Sequence, residues 1–140
     1  MKRFYLAHPF DTRKWVRDWE LRLEKELGVT FVNPFYDLTR SDIEQADAGR
    51  TERYEKINPA DIVERDVQAI HSVEGLVGIV DGSLSYGTIM EIVYAWSYHL
   101  PVYLIVTNGH YGHPWLVYHS TKIFQSLEAF ETWLEIKKST

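Results

Sequence analysis

Glu91 is the first residue to weigh for chemistry. It closes the stretch Val80-Asp81-Gly82-Ser83-Leu84-Ser85-Tyr86-Gly87-Thr88-Ile89-Met90-Glu91. The apolar run from Gly75 to Val80 reads as a buried strand, a turn-rich loop follows, and an apolar-rich helix extends from about Thr88 to His99. Gly87 is expected to let the chain turn tightly and Thr88 to cap the new helix. That placement puts Glu91 in the first turn of a helix, just past the carboxyl end of a strand, where open α/β sheets bind their ligands. A carboxylate there serves as a nucleophile, a base, or simply an acid favoured by the helix dipole.

Other side chains compete for attention. Asp66 lies one helical turn from both Ile62 and Ile70. An acid on or beside an apolar stripe is either a functional group or a stripe-edge residue that reaches solvent, because burying an ionised carboxylate is costly. Tyr5, in the first apolar run, points either into the core or toward the end of a sheet. His110 and His113 flank Gly112 without a carboxylate at ligand spacing, so they read as loop histidines and no metal is expected. Asp81-Gly82 carries a turn signature. No GxGxxG or Walker-type loop is present, which argues against a dinucleotide or P-loop site.

Strand and helix signals alternate along the chain. Arg3 to Ala7 reads as a strand, and Thr12 to Leu27 as a helix with Trp15, Val16, Trp19, Leu23 and Leu27 on one stripe, ended by Gly28. Val29 to Asn33 is a second strand. Asp37 to Lys56 is polar, lacks a strong period, and is expected to be a mobile loop with some helix. Asn58-Pro59 opens a helix to about Ser72, with Val63, Val67 and Ile70 facing inward. Leu76 to Val80, Pro101 to Thr107 and Lys122 to Phe124 supply three more strands, and Ser126 caps a last helix carrying Leu127, Phe130 and Leu134. This order implies one α/β domain over residues 1–140, a flavodoxin- or Rossmann-like three-layer sandwich around a parallel sheet of about five strands. The loops after Ala7, Val80 and Thr107 are expected to form one pocket at the carboxyl ends of the strands.

The bulk composition narrows the function. A chain of 140 residues that is 45% hydrophobic can bury a sizeable core. It has no cysteine, hence no disulfides or thiolate chemistry, which suits a cytoplasmic protein. A net charge of −5 argues against binding a nucleic-acid polymer. No apolar run is long enough to span a membrane, and the apolar stretch after Met1-Lys2-Arg3 is too short for a signal-peptide core.

Three segments together resemble the nucleoside 2-deoxyribosyltransferase family, which includes the nucleoside 5′-monophosphate N-glycosidases. Tyr5-Leu6-Ala7-His8-Pro9-Phe10 is similar to the family's opening strand and loop. Glu64-Arg65-Asp66 resembles the segment bearing its pocket aspartate. Asp81-Gly82 through Gly87-Thr88 to Glu91, followed by Ala95, resembles the segment bearing its nucleophilic glutamate. Order and spacing fit from roughly Arg3 to Val106, while the C-terminal part matches poorly.

The resemblance implies an enzyme that needs no cofactor. Glu91 attacks the anomeric carbon of a (2′-deoxy)ribose, Asp66 protonates the departing base, and Tyr5 hydrogen-bonds Glu91. Another base or water then releases the sugar. Phe10 and Phe35, with Tyr5, are candidates to crowd the 2′ position. The transferases commonly carry an aspartate six residues before the nucleophile, where this chain has Ser85. A hydroxyl can donate to a 5′-phosphate that an aspartate would repel, and the Gly87 N–H at a helix start adds anion affinity. Ser85 therefore tilts the expectation toward 5′-monophosphates. The family also lends a polar residue from a neighbouring subunit, here near His113-Pro114-Trp115, so a homodimer or higher homo-oligomer is implied. The rival reading is a nucleotide-binding or sensing module of the same fold without turnover.

Overall fold

The computed structural model describes residues 2–36, 58–83 and 85–139. Five strands form one all-parallel sheet: β1 (Arg3–Ala7), β2 (Thr30–Val32), β3 (Gly75–Val80), β4 (Val102–Val106) and β5 (Lys122–Phe124). Their spatial order is β2-β1-β3-β4-β5. The strand order reverses between β1 and β3, the switch point at whose carboxyl end doubly wound sheets bind ligands. The helices are α1 (Arg13–Leu27), α2 (Pro59–His71), α3 (Tyr86–Ser97), α4 (Pro114–Tyr118) and α5 (Leu127–Ser139), with a 3-10 turn at Phe10–Thr12 before α1. The expected α/β sandwich of five parallel strands is what the chain adopts. The polar stretch expected to be a mobile loop, 37–56, lies outside the described residues.

Alternation along the strands sorts the core into two layers. Phe4 and Leu6 of β1 pack with Val16, Trp19 and Leu23 of α1 and with Phe130 and Leu134 of α5. Tyr5 and Ala7 point to the other face, where they join Ile70 of α2 and Ile92 and Ala95 of α3. The residue types of β1 thus decide that Tyr5 shares a layer with the helices carrying Asp66 and Glu91. β3, in the middle, is buried on both faces and reads GLVGIV, the continuous apolar run expected of a central parallel strand. Gly78 sits where a Cβ would come within 2.9 Å of Leu104 and 3.1 Å of Ile92, so its missing side chain sets how closely α3 lies on the sheet.

Several local expectations need correction. Val63 was expected to face inward and is 58% exposed. The inner face of α2 instead follows Ile62, Asp66, Ala69 and Ile70, with Val73 beyond the helix end, a stripe with i, i+4, i+7, i+8 spacing that places the acid among the half-buried positions. Trp15, expected on the α1 stripe, is exposed, and the stripe runs Val16, Trp19, Glu20 and Leu23. Positions 15 and 20 lie about 140° apart around the helix, on opposite edges of the stripe, and the sheet covers the edge that carries Glu20, which has no exposure at all.

Burial pushes the Glu20 carboxyl up from its ordinary 4.5 to about 7, against opposing contributions from the Asn33 hydrogen bond and the Arg17 charge. Between those two pH values the folded chain holds a proton that the unfolded chain has released. The stabilisation from the neutral acid is therefore complete below 4.5 and is lost as pH rises to about 7. Glu20→Gln is expected to remove this dependence. Its stability relative to the parent, read by urea unfolding, should improve by up to about 3 kcal/mol on going from about pH 4 to about pH 8. A parallel pH profile for the two proteins would contradict the assignment.

Candidate active site

At the β1–β3 switch point β1 and α3 meet through one pair of side chains, with α2 packed on the same face of the sheet. Tyr5, fully buried in the middle of β1, donates its hydroxyl hydrogen to Glu91 Oε2 on α3. A phenol donating to a carboxylate is a charge-assisted bond, stronger than a neutral pair. It joins residues 86 positions apart in sequence and holds one carboxylate oxygen in place, leaving Oε1 as the other. Glu91 is half-buried. Asp66, also half-buried, lies on the inner stripe of the neighbouring helix α2. A link between helices α2 and α3 comes from His71, whose Nε2 lies 2.6 Å from the Tyr94 hydroxyl and whose ring stacks on Tyr98 at 4.1 Å.

The loop from β3 into α3 is built differently from expectation. The helix begins at Tyr86, so Glu91 occupies its second turn rather than its first. The capping residue is Ser85, not Thr88: Ser85 Oγ accepts from the Thr88 N–H at 3.2 Å, and the two hydroxyls lie 2.7 Å apart. Ser85 wins because its extended backbone (φ −149°, ψ 102°) is what an N-cap requires, whereas Thr88 is already helical. Gly87 is not the residue that turns the chain. Gly82 is, at φ +99°, with Asp81 Oδ1 accepting from the Ser83 N–H at 3.0 Å to close the turn. Gly87 leaves open space beside the helix start, with nothing within 4 Å of where a Cβ would sit.

Phe10 and Phe35 follow β1 and β2 at the same end of the sheet, and their rings meet edge to face at 5.6 Å. His113 is placed elsewhere. It caps α4, its Nδ1 accepting from the Trp115 N–H at 3.2 Å, and it lines a hollow of about 260 Å³ with His110, Ile89 and Val93. Val93 is two residues past Glu91, about 200° around the helix. The hollow thus lies across α3 from the carboxylate, and it joins the end of β3 at Val80 to the loop after β4 at Asn108 and His110. A larger hollow, about 740 Å³, opens at the amino ends of the strands among Lys2, Tyr103, Lys122, Trp133 and Lys138. Neither hollow is lined by Glu91 or Tyr5, so size alone is a poor guide to the chemistry here.

A buried polar group beside the site carries no signal strong enough to single it out from sequence. His8, Asn33 and Glu20 are 2%, 4% and 0% exposed. Burial lowers the His8 pKa below its ordinary value, opposed by the hydrogen bonds to Asn33 and the Pro9 carbonyl and by the Asp81 charge. The available clue was Glu20 at the Val16+4 position of an apolar stripe. Among the described residues no group of three or more His, Asp or Glu side chains is arranged to hold a metal ion.

No family model and no curated protein sequence matches the chain. Solved structures do. A 2-deoxyribosyltransferase from the psychrotolerant bacterium Bacillus psychrosaccharolyticus superposes with a TM-score of 0.68 over 92% of this chain and 90% of its own, at 21% identity. This is the fold of the 2-deoxyribosyltransferases. The corresponding enzyme of Leishmania mexicana gives 0.64 over 96% and 98% at 18% identity. A CMP N-glycosidase of Clostridium botulinum gives 0.61 over 96% and 99% at 20% identity. The chain is thus matched over nearly its whole length by a transferase-type and a glycosidase-type structure built on one deoxyribosyltransferase fold.

The cap analysis makes a direct prediction. Ser85→Ala should cost about 1 kcal/mol by removing the acceptor for the Thr88 N–H, while Ser85→Asp, an equally good cap, should stay within about 0.5 kcal/mol of the parent. Thermal or urea unfolding of the two variants checks it, and equal losses in both would remove the capping role.

Proposed function

We propose that this chain cleaves the N-glycosidic bond of (2′-deoxy)ribonucleosides or their 5′-monophosphates through a covalent glycosyl-Glu91 intermediate. The observation that carries the reading is the Tyr5–Glu91 hydrogen bond at the switch point of a deoxyribosyltransferase fold. Tyr5 holds Glu91 Oε2, and a carboxylate oxygen of Glu91 attacks C1′ as the C1′–N bond breaks. The electron pair of that bond leaves with the base, which takes a proton from Asp66. A second base or water then attacks C1′, Glu91 departs as carboxylate, and Asp66 recovers its proton from the incoming group. Two carboxyl groups, one covalent and one acid, parallel the retaining glycosidase scheme. Asp66 lies half-buried on the inner stripe of α2. No cofactor enters any step.

Glu91→Ala is expected to lower turnover at least a thousandfold, on the order expected for a lost nucleophile, in a product assay on deoxynucleosides and their monophosphates. Asp66→Asn should cut rates for natural bases far more than for substrates with a good leaving group, because acid catalysis matters only when the base needs a proton. Full activity in Glu91→Ala would remove the mechanism, and equal losses on both substrate types would give Asp66 a binding role instead.

The 5′ end is read from Ser85. Its Oγ accepts from the Thr88 N–H, so its own hydrogen is free for a phosphate oxygen when the Thr88 hydroxyl donates across their 2.7 Å contact. The parent should prefer monophosphates, and Ser85→Asp should reverse that order without unfolding the protein. A carboxylate facing a dianion at hydrogen-bonding distance costs several kcal/mol at an effective dielectric near 20, more than the roughly 1 kcal/mol of one hydrogen bond. Specificity constants on a nucleoside with and without its phosphate decide it, and a parent that prefers the unphosphorylated substrate overturns the phosphate reading.

A homo-oligomer belongs to the same proposal. Tyr86, Met90, Trp115 and Tyr118 are 73%, 70%, 71% and 68% exposed, a concentration of large apolar side chains on α3 and α4. Placed in an interface, this surface brings His113 of one copy toward the site of another. Sedimentation at micromolar concentration is expected to give a dimer or larger, and an active monomer would contradict it.

A further inference from the structure

We propose that Asn33 and Glu20 are positioning residues for the aromatic edge of the site, acting through the ring of His8. The inference rests on the glycosidic reading above, together with the expectation from the sequence that Phe10 and Phe35 crowd the 2′ position of the sugar. It begins from an amide whose orientation is fixed. The Phe35 N–H donates to Asn33 Oδ1 at 3.1 Å, and Asn33 Nδ2 donates to Glu20 Oε1 at 2.6 Å. Asn33 Oδ1 also lies 3.0 Å from His8 Nε2. An amide oxygen only accepts, so Nε2 carries the hydrogen in this contact.

His8 faces a second acceptor as well, with Nδ1 3.0 Å from the Pro9 carbonyl. A neutral imidazole has one N–H and can serve only one of the two. Burial favours the neutral ring. The Asn33 carbonyl is the better acceptor, because its own amide is polarised by donation to the Glu20 carboxyl. Glu20 and Asn33 thereby select the tautomer and orientation of His8. Arg17, 3.5 Å from Glu20 Oε1, and Glu24 are the other charged groups acting on Glu20, and Asp81 acts on His8.

The ring so fixed supports the aromatic edge. His8 meets Phe35 edge to face at 5.1 Å, and Phe35 meets Phe10 at 5.6 Å. The Arg13 guanidinium lies 3.8 Å from the centroid of the Phe10 ring and donates to the Phe10 carbonyl. A chain of contacts therefore runs from the middle of α1, through Asn33 and His8, to both phenylalanines. The arrangement is not what stability alone selects. Among the described residues Glu20 Oε2 is buried without a hydrogen-bond partner, a cost that the bond from Asn33 to Oε1 does not remove.

The test uses the full chain and two readouts. In Asn33→Ala, KM for a 2′-deoxynucleoside or its monophosphate should rise about tenfold with kcat within about twofold, since Glu91 and Tyr5 stay in place. Nitrogen-15 NMR of the ring should show His8 leaving the Nε2–H tautomer for the Nδ1–H form that donates to Pro9. Glu20→Leu, which fills the same space without a polar group, should raise KM in the same sense and carries the test if Asn33→Ala does not fold. Glu20→Gln, which keeps an acceptor for Asn33, should restore KM to near the parent value. An unchanged tautomer in Asn33→Ala, an unchanged KM in Glu20→Leu, or a fall in kcat in place of the rise in KM overturns the proposal. A parent chain with no glycosidic activity overturns the reading of the site instead, and the tautomer measurement then still decides whether the network sets the ring.

Discussion

The hydrogen bond from Tyr5 to Glu91 depends on nearly every larger feature of the molecule. It needs β1 beside β3, so that a residue of the first strand lies next to the helix that follows the third. It needs Tyr5 on the α2–α3 face, which the alternation Phe4-Tyr5-Leu6-Ala7 secures by committing Phe4 and Leu6 to the opposite layer. It also needs α3 at a fixed height over the sheet. Ile92 rests on Gly78 for this reason, and a methyl group there would meet Leu104 at 2.9 Å. A buried tyrosine must satisfy its hydroxyl, and a half-buried carboxylate must hold its orientation, and each does so through the other.

Much of this was legible in the residues. Gly75 to Val80 has the length and apolar continuity of a central strand, and Asn58-Pro59 has the cap and first-position proline that open α2, where Asn58 Oδ1 does accept from the Ala60 N–H. Residue types and placement left the roles of Tyr5, Asp66 and Glu91 open, and the family resemblance supplied the roles proposed for them. The failures have a common physical origin. The α1 stripe was drawn through Trp15 because tryptophan is apolar and glutamate is not, yet the helix turns Glu20 inward beside Trp19. Val63 was placed inside for the same reason, although Asp66 shares the buried stripe. Hydrophobic periodicity finds the face that residue types favour. It cannot see a polar partner such as Asn33 arriving from another element to make a buried carboxyl tolerable.

Ser85 illustrates a second limit. Side-chain chemistry suggested a phosphate donor, and backbone geometry shows a helix cap, two roles that one hydroxyl can combine because it both accepts and donates. The capping role passes to aspartate with little loss, so this position can change from serine to aspartate without disturbing the start of α3. Under the proposed function, such a change would alter what the 5′ end of the site accepts without moving the start of the helix that carries Glu91.

The two faces of the sheet are also unequal in how firmly they are held. On the α1–α5 side, Trp19, Phe31, Phe124, Phe130 and Trp133 form a connected set of ring contacts, reinforced by Trp19 Nε1 donating to Glu131 and by Arg22 paired with Glu131. On the other side, α2 buries one residue fully, Ile70, and is tied to α3 by the His71–Tyr94 contact near its carboxyl end. Local opening follows the weakest set of contacts. α2 buries fewer side chains than its neighbour α3, so its amide protons should exchange with solvent sooner than those of α3, with the sheet and the aromatic layer still closed. Under the proposed function, such an opening would move the helix bearing Asp66 while β1 and α3 keep the Tyr5–Glu91 hydrogen bond.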